Sequence, residues 1–175
     1  MPVPTIDSLI AQLQLAPHPE GGYYRETFRA AHRVERVDRA PGEPPAATVR
    51  TAGTAIYFLL PADTFSAWHR VCSDEIWHYY DGAPLELHII DPGGAYAVAL
   101  LGRDLTRDQR PQFVVPAGWL QAARPIAGPG NPPYALCGCT VSPGFEFADF
   151  ELPGRSDLLA RYPQLSEMIA ALTRE

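Results

Sequence analysis

Between Thr54 and Leu152 the chain is a succession of short apolar runs, each ended by residues that turn a backbone. Segments 54–60, 65–71, 74–80, 85–90, 96–101, 112–115, 119–124, 134–141 and 145–152 each read as a strand. Between them stand Gly82-Ala83-Pro84, Asp91-Pro92-Gly93-Gly94 and the Gly/Pro-rich stretch 128–133, whose residue types favour turns. The run 54–60 is apolar on both faces and is expected at the centre of a sheet. Cys72 and Ser73 alone separate 65–71 from 74–80, so those two runs are predicted to form a hairpin. No strand is followed by a helix of its own, which argues against a parallel doubly wound sheet. With segment 23–28, about ten closely spaced strands predict an all-β closed antiparallel barrel or jelly roll, which removes sheet edges and leaves a mouth for a ligand.

Helical periodicity appears only at the ends. Ile6, Leu9, Ile10 and Leu13 form one stripe, with Thr5 as N-cap and Pro17 as the stop. Ser156 can cap a short helix, and Pro163 can open a second with Leu165, Met168, Ile169 and Leu172 on its apolar face. At 175 residues, 46% of them hydrophobic, the chain suits one domain with its own core. That domain divides into an N-terminal helix (1–17), a β-barrel (18–152) and C-terminal helices (153–175). Segment 29–47 is polar and Pro-rich and reads as a long loop, of the kind that often serves as a lid or binding segment.

A formal net charge of −6 argues against nucleic acid as the main partner. Arg29, Arg33, Arg36 and Arg39 cluster, but Glu35 and Asp38 interrupt them, as on a solvated loop. The three cysteines, Cys72, Cys137 and Cys139, fit a reduced protein, and Cys137 and Cys139 should share one buried strand face. No stretch approaches the roughly 18–20 apolar residues of a membrane span, and Met1-Pro2-Val3-Pro4-Thr5 lacks the pattern of a secretory leader. A cytoplasmic location, with no membrane partner, is therefore expected.

Residues 69–82 hold the chemistry. Across the predicted hairpin His69 would oppose Trp77 and Val71 would oppose Glu75, placing His69, Glu75, Trp77 and Tyr79 on one face. A buried carboxylate costs several kcal/mol unless it is paired, hydrogen-bonded or metal-bound. A pocket explains such a face better than an apolar core. His78 has the opposite parity and is expected to be structural. Glu86 and His88 share a face of undetermined direction. His18 and His32, in turn and loop segments, are expected to face solvent, and Glu146 and Asp149 to be surface charges. Arg25 and Glu26 differ in parity, so one of the two should line the pocket.

Glu75-x6-Gly82, with His69 six residues before the glutamate, resembles the later part of the first cupin motif, Gly-x5-His-x-His-x3-4-Glu-x6-Gly. Pro116-Ala117-Gly118-Trp119-Leu120-Gln121 resembles the second motif, Pro-x-Gly-x2-His, with Gln in place of His. The blocks His18-Pro19-Glu20-Gly21-Gly22-Tyr23, Ser73-Asp74-Glu75-x-Trp77-His78 and Gly138-Cys139-Thr140-Val141-x-Pro143-Gly144-Phe145 are similar to those of a small cupin family of uncharacterised function. The resemblance implies a double-stranded β-helix barrel, commonly a homodimer, with the pocket inside. Cupin metal sites use three His and one Glu. Here Val71 stands at the second His position and Gln121 at the third, so a divalent transition metal would have only His69, Glu75 and Gln121 as ligands, and an amide oxygen is a poorer donor than an imidazole.

Three function classes fit. The first is a metal-independent isomerase or epimerase acting on a sugar or sugar nucleotide, as in the cupin epimerases of dTDP-sugars. His69 would be the base, Glu75 its orienting carboxylate, Tyr79 the acid and Gln121 an oxyanion donor. Phe65, Trp77 and Trp119 would offer flat surfaces to substrate, and Arg25 or Glu26 a polar contact. The second is a non-catalytic module for a nucleotide or other metabolite. The third is a weakly metal-dependent oxygenase or isomerase.

Overall fold

A computed structural model describes residues 4–38 and 46–174. Among them the chain runs α1 (Ile6–Leu13), β1 (Ala16–Pro17), β2 (Tyr23–Arg29), β3 (Arg33–Asp38), β4 (Ala46–Thr51), β5 (Thr54–Pro61), β6 (Ser66–Val71), β7 (Asp74–Gly82), β8 (Leu85–Ile90), β9 (Tyr96–Leu101), β10 (Gln112–Val115), β11 (Leu120–Pro125), β12 (Tyr134–Ser142), β13 (Phe150–Glu151), α2 (Arg155–Arg161) and α3 (Ser166–Ala171). One sheet has the order β1-β2-β5-β12-β7-β10 and faces a second of order β13-β6-β11-β8-β9, while β3 and β4 form a separate two-stranded ribbon. The pairings within the sheets are antiparallel. This is the all-β jelly roll with short terminal helices that the sequence predicts.

Period-two alternation sorts the side chains. Phe58 and Leu60 of β5, Trp77 of β7, Leu85, Leu87 and Ile89 of β8, and Cys137 and Cys139 of β12 fill the space between the sheets. Leu59, of opposite parity, points outward onto Leu9 and Leu15 at α1. Trp68 and Ile90 likewise leave the interior and are covered by Leu158, Tyr162, Ile169 and Leu172 of the C-terminal segment. The terminal helices thus cover the apolar outer faces that a two-sheet barrel would otherwise expose. Helix α1 starts where Thr5 accepts a hydrogen bond from the Ser8 N–H, and ends where Gln14 turns left-handed at φ 55°. Among the described residues, no helix is long and apolar enough to cross a membrane.

Four expectations are corrected. Strands β6 and β7 are consecutive but lie in opposite sheets: β6 pairs with β11 and β13, and β7 with β12 and β10. Cys72-Ser73 lacks the Gly, Asn or Asp that a two-residue hairpin turn needs, and it serves as a corner of the barrel. His69 therefore lies opposite Gln121, and Trp77 opposite Cys139 and Phe113.

The expected loop 29–47 contains the β3–β4 ribbon, with Arg33 opposite Thr51 and Glu35 opposite Val49. Val34, Val37, Thr48, Val49 and Thr51 are β-branched and favour strands despite the polar composition. Arg39 lies outside the described residues.

Segment 145–152 holds a 3-10 turn, Phe147–Asp149, followed by the two-residue β13, in place of one long strand. At the C-terminus, Gly154 rather than Ser156 precedes α2, and Pro163 opens a 3-10 turn before α3.

Candidate functional site

A cavity of about 310 Å³ opens between the two sheets. Its volume equals that of about ten liquid waters, the scale of a single sugar ring. The buried ionisable groups on its wall include His69 of β6, Glu75 of β7, and His18 and Glu20 from the turn before β2.

That turn is a consequence of local sequence. The Gly21 N–H donates to the His18 carbonyl and the His18 N–H to the Gly22 carbonyl, both at 3.0 Å. Gly21 has φ +116° and Gly22 φ +69°, and a Cβ on either would strike a carbonyl oxygen, Phe65 O in the first case and Leu59 O in the second. The glycine pair lets the turn lie flat on the barrel wall. The Ala67 N–H then donates to the Glu20 carbonyl at 2.9 Å, which docks the turn on β6 and sends the Glu20 side chain inward.

Glu20 Oε1 accepts from Ser66 Oγ at 2.7 Å. Its Oε2 lies 3.4 Å from both His18 Nδ1 and His69 Nε2. His69 Nδ1 is 2.8 Å from the Ala67 carbonyl, an acceptor only, so that nitrogen carries the proton. The lone pair of a neutral His69 is therefore on Nε2, facing Glu20. Burial holds His69 below its usual range and pulls His18 down to about 4, with His69 adding to the latter effect. Burial pushes Glu20 up to about 8, against donation from Ser66 and the charge of Arg174. Near neutral pH the site thus holds a carboxylic acid beside two imidazole lone pairs.

Glu75 is also pushed up by burial, while His69, Gln121 and the Cys139 thiol oppose the rise. Gln121 Nε2 donates to Glu75 Oε2, and Gln121 Oε1 accepts from Trp77 Nε1 at 2.9 Å. The wall around these groups is aromatic. The His18 ring meets Tyr24 edge-on at 4.6 Å and lies near Phe58, Phe147 and Phe150, and Phe150 is 5.5 Å from the His69 ring. At the mouth Arg29 makes paired bonds to Glu26 at 2.9 and 2.8 Å, another to Glu146 at 2.7 Å and one to the Phe145 carbonyl.

Of the catalytic and substrate-binding candidates expected from the sequence, His69, Glu75 and Glu26 line this cavity. Gln121 is wholly buried behind Glu75, and Trp77 packs in the core against Phe58 at 5.7 Å. The Tyr79 hydroxyl donates to the Gly82 carbonyl at 2.5 Å, away from the cavity. Trp119 packs against the main core. Phe65 lies under the Arg174 guanidinium at 4.5 Å. Arg25 reaches Gln14 at 2.9 Å and the Tyr57 ring.

His18 is a correction: it is turned inward, with a side chain only 7% exposed. Glu20, which the sequence shows only as part of a family block, and Tyr24, Phe147 and Phe150 are not among the site residues expected from the sequence. The usable signal was the Gly21-Gly22 pair, which lets a preceding turn lie close against a strand. Asp149 is a further correction, buried and bound by Arg36 and Arg50. Glu146 sits half-exposed at the mouth rather than on the open surface.

The side chains do not fit a cupin centre of three imidazoles and one carboxylate. Val71 lines the cavity where the second imidazole would stand. Gln121 already spends its amide oxygen on the Trp77 indole and its amide nitrogen on Glu75, and an amide oxygen is a poorer ligand than the imidazole it replaces. Among the described residues, no three His, Cys, Asp or Glu side chains are arranged to hold a metal.

A hypothetical protein from Leishmania major has a similar structure, with TM-score 0.87 and 38% identity, over 98% of this chain and 100% of that one. A Shewanella oneidensis protein gives 0.83 and 36%, over 98% and 99% of the two chains. An uncharacterized Saccharomyces cerevisiae protein is 29% identical over 164 residues, 90% of this chain and 81% of the yeast protein. The family described as Cupin superfamily (DUF985) matches residues 7–153, and the chain belongs to it.

Proposed function

We propose that this cupin takes a small carbonyl compound of sugar type and moves a proton at the carbon beside the carbonyl, as an isomerase or epimerase that needs no metal. The observation that carries this reading is the placement of the Glu20 carboxyl against the lone pair of His69 Nε2, 3.4 Å apart on the wall of a cavity of about 310 Å³.

His69 Nε2 removes the proton from carbon. The C–H electron pair becomes a C=C bond, the carbonyl π pair moves to oxygen, and that oxygen takes the Glu20 proton to give an enediol. The step leaves an imidazolium beside a carboxylate, a pair that stabilises itself where little water enters. Return of a proton to either carbon, or to the other face of the same carbon, gives the isomer or the epimer. Glu20 thereby takes the acid role that the sequence suggested for Tyr79. Glu75, held by Gln121, orients a substrate hydroxyl. Tyr24, Phe147 and Phe150 offer an apolar wall to a ring.

The test is incubation in deuterated water with a panel of trioses to hexoses, their phosphate esters and nucleotide-linked keto sugars. Deuterium should enter beside the carbonyl of at least one compound and stop doing so with His69→Gln. Saturable thermal stabilisation by panel members without any deuterium uptake would instead identify a binding module.

A further inference from the structure

The mouth of the cavity carries a feature that the chemistry above does not use. Among the described residues that line it, Arg29 is the one Arg or Lys, and the same lining holds four glutamates, Glu20, Glu26, Glu75 and Glu146. Its guanidinium is already engaged: Nε and Nη2 bind Glu26, Nη1 binds Glu146, and Nη2 also reaches the Phe145 carbonyl. The two other guanidiniums nearby, Arg36 and Arg50, are both bound to Asp149. A phosphoryl group or other anion entering here would meet two rim carboxylates and a cation with four of its five N–H donors bonded to Glu26, Glu146 and the Phe145 carbonyl. Recognition of phosphate calls for the reverse, guanidinium donors aimed at the ligand.

We infer that the Glu26–Arg29–Glu146 cluster is a specificity device that excludes anions, so that the substrate is an uncharged polyhydroxy carbonyl compound, neither phosphorylated nor linked to a nucleotide. This rests on the isomerase reading for the reaction but not for the charge selection. The half-exposed rim positions tolerate change, with side chains 39% (Arg29), 37% (Glu26) and 43% (Glu146) exposed.

The experiment uses the full chain and the double variant Glu26→Gln/Glu146→Gln, which keeps the shape of the rim and frees Arg29. A triple variant adding Arg29→Gln is the control. Inorganic pyrophosphate is the first probe, read by thermal shift. It should leave the natural protein and the triple variant unmoved and stabilise the double variant. The second probe is deuterium uptake by neutral sugars against their phosphate esters. The natural protein should favour the neutral sugar by about tenfold or more, and the double variant should lose that preference. Pyrophosphate stabilising the natural protein as much as the double variant, or no gain in the double variant, overturns the charge selection. No deuterium uptake by any sugar, with the pyrophosphate pattern as expected, overturns the isomerase and leaves the anion filter standing.

Discussion

Glu20 Oε2 and His69 Nε2 face each other at 3.4 Å, one as a carboxyl that burial keeps protonated, the other as a lone pair whose tautomer is fixed by the Ala67 carbonyl. Neither group replaces the other, because one supplies a proton while the other removes one. Glu20→Gln keeps an acceptor for Ser66 and so preserves the turn. Both Glu20→Gln and His69→Gln are expected to lower deuterium uptake by about 10²- to 10⁴-fold with little change in circular dichroism. A loss below tenfold in either variant contradicts the pairing.

The same burial makes stability depend on pH in a definite direction. The Glu20 pKa is raised from 4.5 to about 8 on folding. Between those values the folded chain binds more protons than the unfolded one, so this group's contribution falls as pH rises through the window and is level outside it. His18, lowered from 6.5 to about 4, acts oppositely: its contribution is lost as pH falls through that interval. The melting temperature of Glu20→Gln minus that of the natural protein should therefore rise from about pH 5 to pH 8 and then level off. A difference that stays flat across that range shows that Glu20 is not shifted.

Much of this architecture was legible in the sequence, and the failures have physical causes. Strand positions followed from apolar runs and turn residues, and the inward aim of Glu75 and Trp77 from period-two parity. The partner strands did not, because parity gives the face and not the neighbour. The meeting of His69 and Glu75 in one cavity comes from opposed sheets rather than from a hairpin. Glu20 and His18 were missed because they sit in a turn, where no periodicity reports direction. Their inward aim depends on one long-range hydrogen bond, from Ala67 N–H to the Glu20 carbonyl. Asp149 was misread because its partners Arg36 and Arg50 are about a hundred positions away in the chain.

Gln121 gives a stability prediction and a metal prediction. It joins the Trp77 indole to Glu75 within the core, so Gln121→Leu strands a buried N–H and removes a donor from a buried carboxyl. The expected cost in urea unfolding is about 2–4 kcal/mol. Trp77→Phe should cost less in that background than alone, because the shared hydrogen bond is already gone. Val71→His with Gln121→His would add two imidazoles beside His69 and Glu75. By isothermal titration this pair should raise affinity for Ni²⁺ or Zn²⁺ at least about tenfold over the natural protein. Stoichiometric tight binding by the natural protein, unchanged in the double variant, would show that Val71 and Gln121 do not limit its hold on a metal.

Asp149 ties the β3–β4 ribbon to the barrel. Its Oδ2 accepts from Arg50 Nε at 2.6 Å and Arg36 Nη1 at 3.0 Å, and its Oδ1 from Arg50 Nη2 at 2.7 Å and Arg36 Nη2 at 3.2 Å. Arg36 lies on β3 and Arg50 on β4, so one carboxylate holds both strands. The two arginines hold its pKa below the usual range, as expected for a carboxylate that is a working partner. Asp149 also lies between Phe147 and Phe150, which line the cavity. Asp149→Asn keeps the shape but removes the charge. It should speed backbone hydrogen exchange in β3 and β4 by about tenfold or more while leaving β5 and β12 protected. The same substitution should weaken ligand binding by loosening the 3-10 turn that carries Phe147. Unchanged exchange in the ribbon would show that its strand pairing alone holds it, and would remove any link from Asp149 to the aromatic wall.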